Sequence, residues 1–328
     1  MLSYLIRRVL LTIPTVAILT FLIFMLVHLI PGDAVDAMMA VPGAAEDRID
    51  REAIETALGL DAPLLIQYGR WIGVLPHVDG SFGGALQGEF GVSWWTGCPV
   101  TVLLRTRWPI TLELGILAII VSQLIALPIG FYSAVRQDTW GDYIGRSIAI
   151  VFISVPGFWL GTMIMLLPAV WWGYLPSTAF IPFTTDPIGN LIMFIVPAIV
   201  MGMALAGVTM RMTRTMMLEV LRQDYIRTAW AKGLKERSVI VRHAAKNALI
   251  PVVTIIGLQM PVLVGGTVII ERIFVLPGMG SLLETGISQR DQPVISAVVL
   301  LISVALVIIN LTVDLTYAYL DPRVQYGK

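Results

Sequence analysis

Long runs without a charged residue constrain this chain more than any other feature of its sequence. The first run covers residues 9–32 and a second covers residues 114–135. A helix crosses the hydrocarbon core of a bilayer with about 20 apolar residues, so each run is long enough to span a membrane. Because 57% of the residues are hydrophobic and only 13% are charged, the sequence predicts an all-α integral membrane protein.

The other apolar runs complete a set of six predicted spans. Residues 147–185 form an uncharged run that is too long for one helix and is interrupted by four prolines. We therefore place a third span over residues 147–170 and a short external loop near Asp186. The remaining spans are predicted at residues 187–210, 247–270 and 292–313, so that both termini lie on the same side.

The distribution of Arg and Lys orients these spans. Arg7 and Arg8 precede the first run, which predicts a cytoplasmic N-terminus. In that orientation 15 of the 22 Lys and Arg residues lie on the cytoplasmic side and seven lie outside. A cleaved signal peptide is the alternative for residues 1–32, but its apolar region would be only about 7–15 residues long and would end in a small-residue cleavage site, which is missing here.

The predicted organisation has three parts. Residues 1–32 form the first transmembrane helix, residues 33–108 a large extracytoplasmic loop region, and residues 109–328 a core of five further transmembrane helices. Within the loop region, residues 46–58 have the apolar spacing of an amphipathic helix. Its tryptophans are expected either at the membrane interface or against a soluble partner, namely Trp71, Trp94, Trp95 and Trp108.

The strongest concentration of positive charge lies in a predicted cytoplasmic segment, residues 211–250. Its pattern predicts a helix over residues 215–232 that ends at Gly233. A second helix is predicted to begin near Glu236 and to continue into the span opened by Pro251. A short amphipathic elbow would then be attached directly to a membrane span. The alternative is a loop whose charge only fixes the orientation of the spans.

Several classes of function lack their sequence signatures. Cys98 is the only cysteine and the three histidines lie far apart, so no disulfide and no metal site are predicted. None of the four lysines stands between Gly and Ser or Thr, as the lysine of a phosphate-binding loop does. Nucleophile and zinc-protease motifs are missing too, so we expect no catalytic residue. Zero net charge gives no reason to expect a nucleic-acid partner.

Few polar side chains fall within the predicted spans, where charge is costly. Glu271 lies near the outer face, and we expect a solvated interfacial carboxylate there, with a place at the exit of a pathway as the alternative. Gln259, Asn310 and Asp314 lie deeper, and we expect them to hydrogen-bond between helices.

The basic segment resembles the "EAA" signature of ABC importer permeases. The resemblance is carried by Ala229, Ala231 and Gly233, followed by Asn247 and Pro251. In that signature a helix with small residues docks in a groove of an ATPase subunit, and the next helix passes movement to a span. Thr228-Ala229-Trp230 stands where the signature has Glu-Ala-Ala; peptide-type members commonly begin with Thr, whereas the bulky Trp230 is a departure.

Other regions resemble dipeptide and oligopeptide permeases specifically. Residues 29–33, 58–64 and 88–94 are similar to the first external loop of that class, although Glu89 replaces the usual Asp. Gly265-Gly266-Thr267, followed by Glu271, Phe274 and Pro277-Gly278-Met279-Gly280, resembles the segment that these permeases carry after the coupling motif. The C-terminal Asn310, Asp314, Asp321, Pro322 and Arg323 also match. Taken alone, the Pro277 and Gly278 pair predicts a tight external turn, which is either a gate or a passive connector.

This resemblance implies a permease subunit of a binding-protein-dependent ABC importer in a bacterial or archaeal cytoplasmic membrane. It implies pairing with a second, homologous permease and two ABC ATPase subunits, and delivery of substrate by an extracytoplasmic binding protein. ATP and Mg would be bound by the ATPases, with no cofactor on this chain. The implied ATPase-coupling residues are Arg222, Asp224, Tyr225, Arg227, Thr228, Ala229, Trp230, Ala231, Lys232, Gly233, His243, Asn247 and Pro251. The implied pathway or gate residues are Gly265, Gly266, Glu271, Pro277, Gly278 and Gly280.

The substrate is the least determined feature. The resemblance favours peptides, but similar permeases carry nickel, glutathione or oligosaccharides, and no residue of this chain discriminates among them. A stand-alone secondary transporter is the main alternative to an ATP-driven importer. It would predict inverted repeats or buried ion-coupling carboxylates, and the sequence shows neither clearly.

Overall fold

The computed structural model describes residues 2–29, 56, 61–174 and 179–320. In these ranges every extended element is a helix, and β-pairing is limited to one isolated bridge between Val92 and Pro99. The all-α prediction is therefore confirmed. The amphipathic helix predicted at residues 46–58 lies outside the described residues except for residue 56, and Asp321, Pro322 and Arg323 lie outside them as well.

From α3 onward most of the helices follow one another with short connections, whereas long stretches of chain precede α2 and α3. In order they are α1 Leu2–His28, α2 Leu64–Ile72, α3 Val100–Val135, α4 Trp140–Ser154, α5 Gly157–Trp172, α6 Pro187–Leu221, α7 Asp224–Ala231, α8 Glu236–Gln259, α9 Val262–Gly265, α10 Val268–Ile273, α11 Met279–Gln289 and α12 Gln292–Leu320. Five are long and apolar enough to cross a membrane, and the pair α4 and α5 makes a sixth candidate if it is counted as one span.

The third span, predicted over residues 147–170, is not one continuous helix. The chain bends by 91° between α4 and α5, which make one candidate span if the bent pair is a single crossing. Pro156 explains the bend, because proline has no N–H and disfavours helical geometry in the residue before it. Val155 accordingly has φ −84° and ψ 120°, which is extended backbone.

Two other predicted boundaries also differ from the structure. The helix predicted over residues 215–232 is broken, because Gln223 is extended, with φ −73° and ψ 148°, between α6 and α7. The span predicted over residues 247–270 begins earlier and ends at Gln259, and the short helices α9 and α10 follow it. The helix expected near Glu236 does begin there.

The chain forms two compact units. The first contains residues 111–276 and continues from residue 309. In it α3, α4 and α6 pack closely. A Cβ on Gly202 would lie 2.6 Å from the Ala118 carbonyl oxygen, and one on Gly207 would lie 2.8 Å from that of Ala149. Small residues thus allow these helices to approach, as in other membrane bundles.

The second unit contains residues 2–110, as far as they are described, and residues 277–308. Its core joins the first turns of α3 to α11 and α12 through Val100, Leu104, Met279, Val294, Ala297 and Val298. Within this unit the loop before α3 is held by Ser93, whose hydroxyl donates to Asp291 Oδ2 at 2.5 Å.

Candidate coupling site

The inner face of α7 is packed into the core of the first unit. Ile226 and Ala229, one helical turn apart, are 0% and 7% exposed. They belong to a cluster that includes Met217 of α6 and Val239 and Ala244 of α8. An eight-residue helix is too short to be stable alone, so this packing is what holds α7 in place.

Two large aromatic side chains flank the buried face of α7, one on each side of it. Tyr225 and Trp230 are 44% and 45% exposed, and Leu234 just after the helix is 39% exposed. Charged side chains surround them, since Arg222, Arg227 and Lys232 are also exposed. Large aromatic side chains with a basic rim are typical of protein–protein interfaces. Trp230, the departure from the signature, therefore lies on the surface and does not crowd the core.

Gly233 ends α7 by its backbone conformation. Its φ is +74°, and a Cβ built there would meet no atom within 4 Å. Its N–H donates to the Trp230 carbonyl at 2.9 Å, which closes the last turn. A left-handed residue after a helix is usually glycine, as the sequence predicted here. Backbone geometry, and not lack of space, therefore restricts this position.

A side-chain hydrogen bond ties α7 to α8. Asn247 Nδ2 donates to the Tyr225 hydroxyl at 2.8 Å and to the His243 carbonyl at 3.1 Å. His243 lies in the π-helical turn Val239–Ala245, which joins the start of α8 to the rest of that helix. We name residues 222–247 the coupling elbow. Pro251, the remaining predicted coupling residue, lies four residues further along α8.

An ion pair within the elbow and another close to it in sequence differ in how much they contribute to stability. Arg227 lies 3.3 Å from Asp224, but the two side chains are 75% and 94% exposed, so this pair contributes little. A much stronger pair lies nearby in the same unit. Arg214 of α6 contacts Asp142 of α4 through two bonds of 2.7 Å, and Asp142 is fully buried. Sequence reasoning missed this pair, because nothing in the local pattern links residues that are 72 positions apart.

Glu271 is not the solvated carboxylate that the sequence led us to expect. It is 0% exposed, and Thr111 Oγ1 donates to its Oε1 at 2.6 Å. The expectation failed because Thr111 lies 160 positions away and gives no local signal. Interhelical bonding is confirmed for Gln259, whose Nε2 lies 3.2 Å from both the Leu205 carbonyl and Thr209 Oγ1.

The predicted gate residues do not form one cluster within a single unit. Gly265, Gly266 and Glu271 belong to the first unit, whereas Pro277, Gly278 and Gly280 belong to the second. A Cβ on Gly266 would lie 2.9 Å from the Val262 carbonyl, while Gly265 faces open space. A turn precedes α11, but it lies at Phe274 and Val275, where Val275 has φ +55°, and not at the predicted Pro277 and Gly278, since Gly278 is extended with φ −94° and ψ −168°. Among the described residues no group of His, Cys, Asp and Glu side chains has a geometry that could hold a metal ion.

Two known protein families together match nearly the whole chain. The family described as "Binding-protein-dependent transport system inner membrane component" matches residues 126–326. The N-terminal family of the same membrane components matches residues 1–115.

Individual relatives are similar over almost their full length. A putative peptide transport system permease protein of Brucella abortus (strain 2308) is 38% identical over 326 residues, which is 99% of this chain and 100% of that protein. The glutathione transport system permease protein of Salmonella paratyphi A is 39% identical with the same coverage.

Solved structures agree in fold. The MetNI methionine ABC transporter, in an inward-facing conformation, aligns with a TM-score of 0.54 at 18% identity, covering 67% of this chain and 97% of that chain. An amino acid ABC transporter aligns with a TM-score of 0.52 at 13% identity, covering 67% of this chain and 94% of the other. At these identities the likeness concerns the fold alone.

Proposed function

The chain belongs to the family of inner membrane components of binding-protein-dependent transport systems, and on that premise we propose that its coupling elbow docks an ABC ATPase subunit. The chain is thus a multi-pass inner membrane permease subunit. The observation that carries the proposal is the exposed surface of α7, where Tyr225 and Trp230 are half exposed among basic side chains on either side of the buried pair Ile226 and Ala229.

The elbow is built to transmit force to a membrane helix. Movement imposed on Trp230 would reach α8 through the Ile226 packing and through the Tyr225–Asn247 hydrogen bond. Because α8 is itself a candidate span, a rigid tilt of the elbow changes the angle of that span. Such rigid-body motion is a common way to switch a transporter between inward-open and outward-open states, provided that the ligand binds the two states differently.

The partners follow from the same proposal. We infer a second, homologous permease, two ATPase subunits that bind ATP and Mg, and an extracytoplasmic binding protein. This chain would then be the non-catalytic translocation subunit. It would use the energy of ATP through contacts at the elbow and bind no cofactor itself.

The proposed substrate class is short peptides. The support comes from the peptide transport permease of Brucella abortus, which is 38% identical over its whole length. Glutathione, itself a small peptide, is the second candidate because the Salmonella permease named for it is 39% identical. Both fit one class of substrate, a small amide-linked molecule with free carboxylates.

Co-purification tests this proposal. The tagged chain is extracted from its native membrane in mild detergent, and the proteins that accompany it are identified by mass spectrometry. We expect a second permease and Walker-motif ATPases. Trp230→Ala should lower the yield of the ATPases, whereas the control Trp140→Ala, at a residue that is 84% exposed on α4, should not. A chain that purifies alone and transports in liposomes without ATP would contradict the proposal.

A further inference from the structure

The second unit contains a cavity of about 260 Å³ that the coupling mechanism does not use. It lies between the end of α1, the helix α2, the loop before α3 and the first turn of α12. Much of its wall is aromatic, formed by Phe24, Trp71, Phe90 and Trp94. The charge distribution of the sequence places this part of the chain on the extracytoplasmic side.

Aromatic packing fixes the walls of the cavity. Phe24 of α1 lies with its ring centroid 5.8 Å from that of Trp71 and 5.5 Å from that of Tyr68. The Tyr68 hydroxyl is 2.7 Å from Thr20 Oγ1, which adds a polar tie between α1 and α2. Gly73, with φ +89°, ends α2 and donates its N–H to the Arg70 carbonyl at 3.0 Å. The last turn of α2 is therefore held against α1.

Arg70 brings an unsatisfied donor to this cavity. Its Nε is buried and has no hydrogen-bond partner in the part of the chain that the structure describes. Among the described residues that line the cavity there is no Asp or Glu. His28 offers Arg70 no acceptor, since both of its ring nitrogens have other partners: Nδ1 is 2.8 Å from the Phe24 carbonyl and Nε2 is 3.2 Å from Gln67 Oε1. A guanidinium has donors only, so an anion is the ligand that completes this site.

We propose that this cavity binds a small carboxylate ligand, with the carboxylate on Arg70 and an apolar group against the aromatic walls. A guanidinium matches the planar, two-oxygen geometry of a carboxylate. Phosphate sites usually add backbone N–H groups of a helix N-terminus, and Arg70 lies in the last turn of α2. The cavity, at about 260 Å³, has room for one or two amino-acid residues.

The site itself requires only this chain. That the carboxylate belongs to a transported short peptide rests on the function proposed above. In that case the cavity would hold the peptide's C-terminus on the outer side of the membrane, with Phe24 and Trp94 against the terminal side chain.

Two matched probes test the site on the full-length chain in lipid nanodiscs. N-acetyl-phenylalanine carries the carboxylate, and N-acetyl-phenylalaninamide differs only in lacking it. By equilibrium dialysis we expect the acid to bind at least tenfold more tightly than the amide. Arg70→Gln should weaken binding of the acid by about ten- to a hundredfold and leave binding of the amide unchanged. Arg105→Gln, at an exposed arginine of the same unit, should change neither.

A second variant keeps the test valid if Arg70→Gln fails to fold. Ser296→Leu fills the cavity and retains Arg70, so it should weaken binding of both probes. Equal binding of acid and amide, or full binding by Arg70→Gln or Ser296→Leu, would overturn the proposal. So would Arg70-dependent binding of dihexanoyl-phosphatidylglycerol that exceeds binding of the acid, because the site would then serve a lipid phosphate.

The dialysis measures no transport, so its outcome is independent of the coupling proposal. Loss of acid binding with normal ATP-driven peptide uptake would reject the cavity alone. Normal acid binding without an associated ATPase would reject the coupling function alone.

Discussion

The coupling elbow and residues 260–276, which follow α8, differ in the solvent exposure of their functional side chains. The elbow leaves Tyr225 and Trp230 half exposed and buries only small or aliphatic residues. In the later segment the carboxylate of Glu271 is fully buried and accepts a hydrogen bond from the Thr111 hydroxyl of α3. Both regions contain glycine and short helices, but the elbow is rich in charged residues and the later segment is mostly apolar. They also differ in where the polar and aromatic groups point, which assigns the elbow to a partner and the later segment to internal packing.

A charge in the packed face of the elbow should have the largest effect. Ile226→Asp places a carboxylate at a position that is 0% exposed, and we expect a loss of about 3 kcal/mol or more of stability. Thermal unfolding of the purified chain in nanodiscs measures this loss. Thr228→Asp, on the exposed face of the same helix, is the control and should unfold near the wild-type temperature. Equal destabilisation by both variants would mean that α7 is not packed as described.

Removal of the buried carboxylate should destabilise the chain without affecting the partner. Glu271→Ala removes the 2.6 Å hydrogen bond from Thr111 and empties a fully buried position, and we expect a cost of about 1–3 kcal/mol. Glu271→Gln retains an acceptor oxygen and should lose less. Both variants should retain the ATPases on co-purification, in contrast to variants of the elbow. Selective loss of the ATPases from Glu271→Ala would erase the distinction between the two regions.

Strain at the end of α7 should uncouple transport while the chain stays inserted. Gly233→Val forces a β-branched residue to positive φ, at a cost of about 1–2 kcal/mol, although the site has room for the side chain. We expect reduced ATP-driven uptake with normal membrane levels of the protein. Gly233→Asn is the matched control, because Asn tolerates this conformation better. Wild-type uptake by Gly233→Val would show that the turn does not set the geometry of the elbow.

The bond between α7 and α8 should give the smallest effect. Asn247→Ala and Tyr225→Phe each remove a hydrogen bond of 2.8 Å between exposed side chains, so we expect about 0.5–1.5 kcal/mol or less from each. Thermal unfolding of both single variants and of the double variant forms a double-mutant cycle. A coupling energy near zero would leave packing around Ile226 as the only link between α7 and α8.

The sequence predicted the features that depend on local pattern. Charge-free runs located the spans, and the positions of Gly233 and Glu236 located the end of one helix and the start of the next. The break at Gln223 escaped prediction because neither proline nor glycine marks it, and packing of Ile226 selects it instead. Pro156 was recognised as an interruption, but its 91° bend depends on how α4 and α5 pack.

Long-range pairs were beyond any local pattern. Asp142 with Arg214 and Thr111 with Glu271 join residues that only the folded chain brings together. The same holds for Arg70, which the sequence pattern placed in the external loop region with no assigned role. Arg70 lines a cavity only because Phe24 and Trp71 pack beside it.

Photo-crosslinking in the native membrane tests the central claim most directly. A benzoylphenylalanine residue is placed at Trp230, which is half exposed on α7, and, in a separate variant, at Trp140, an exposed tryptophan of α4 in the same unit. The docking proposal predicts a crosslink from position 230 to an ATPase subunit, altered by ATP, and none from position 140. Crosslinks of equal yield from both positions, or from position 140 alone, would contradict the assignment of the elbow as the ATPase contact.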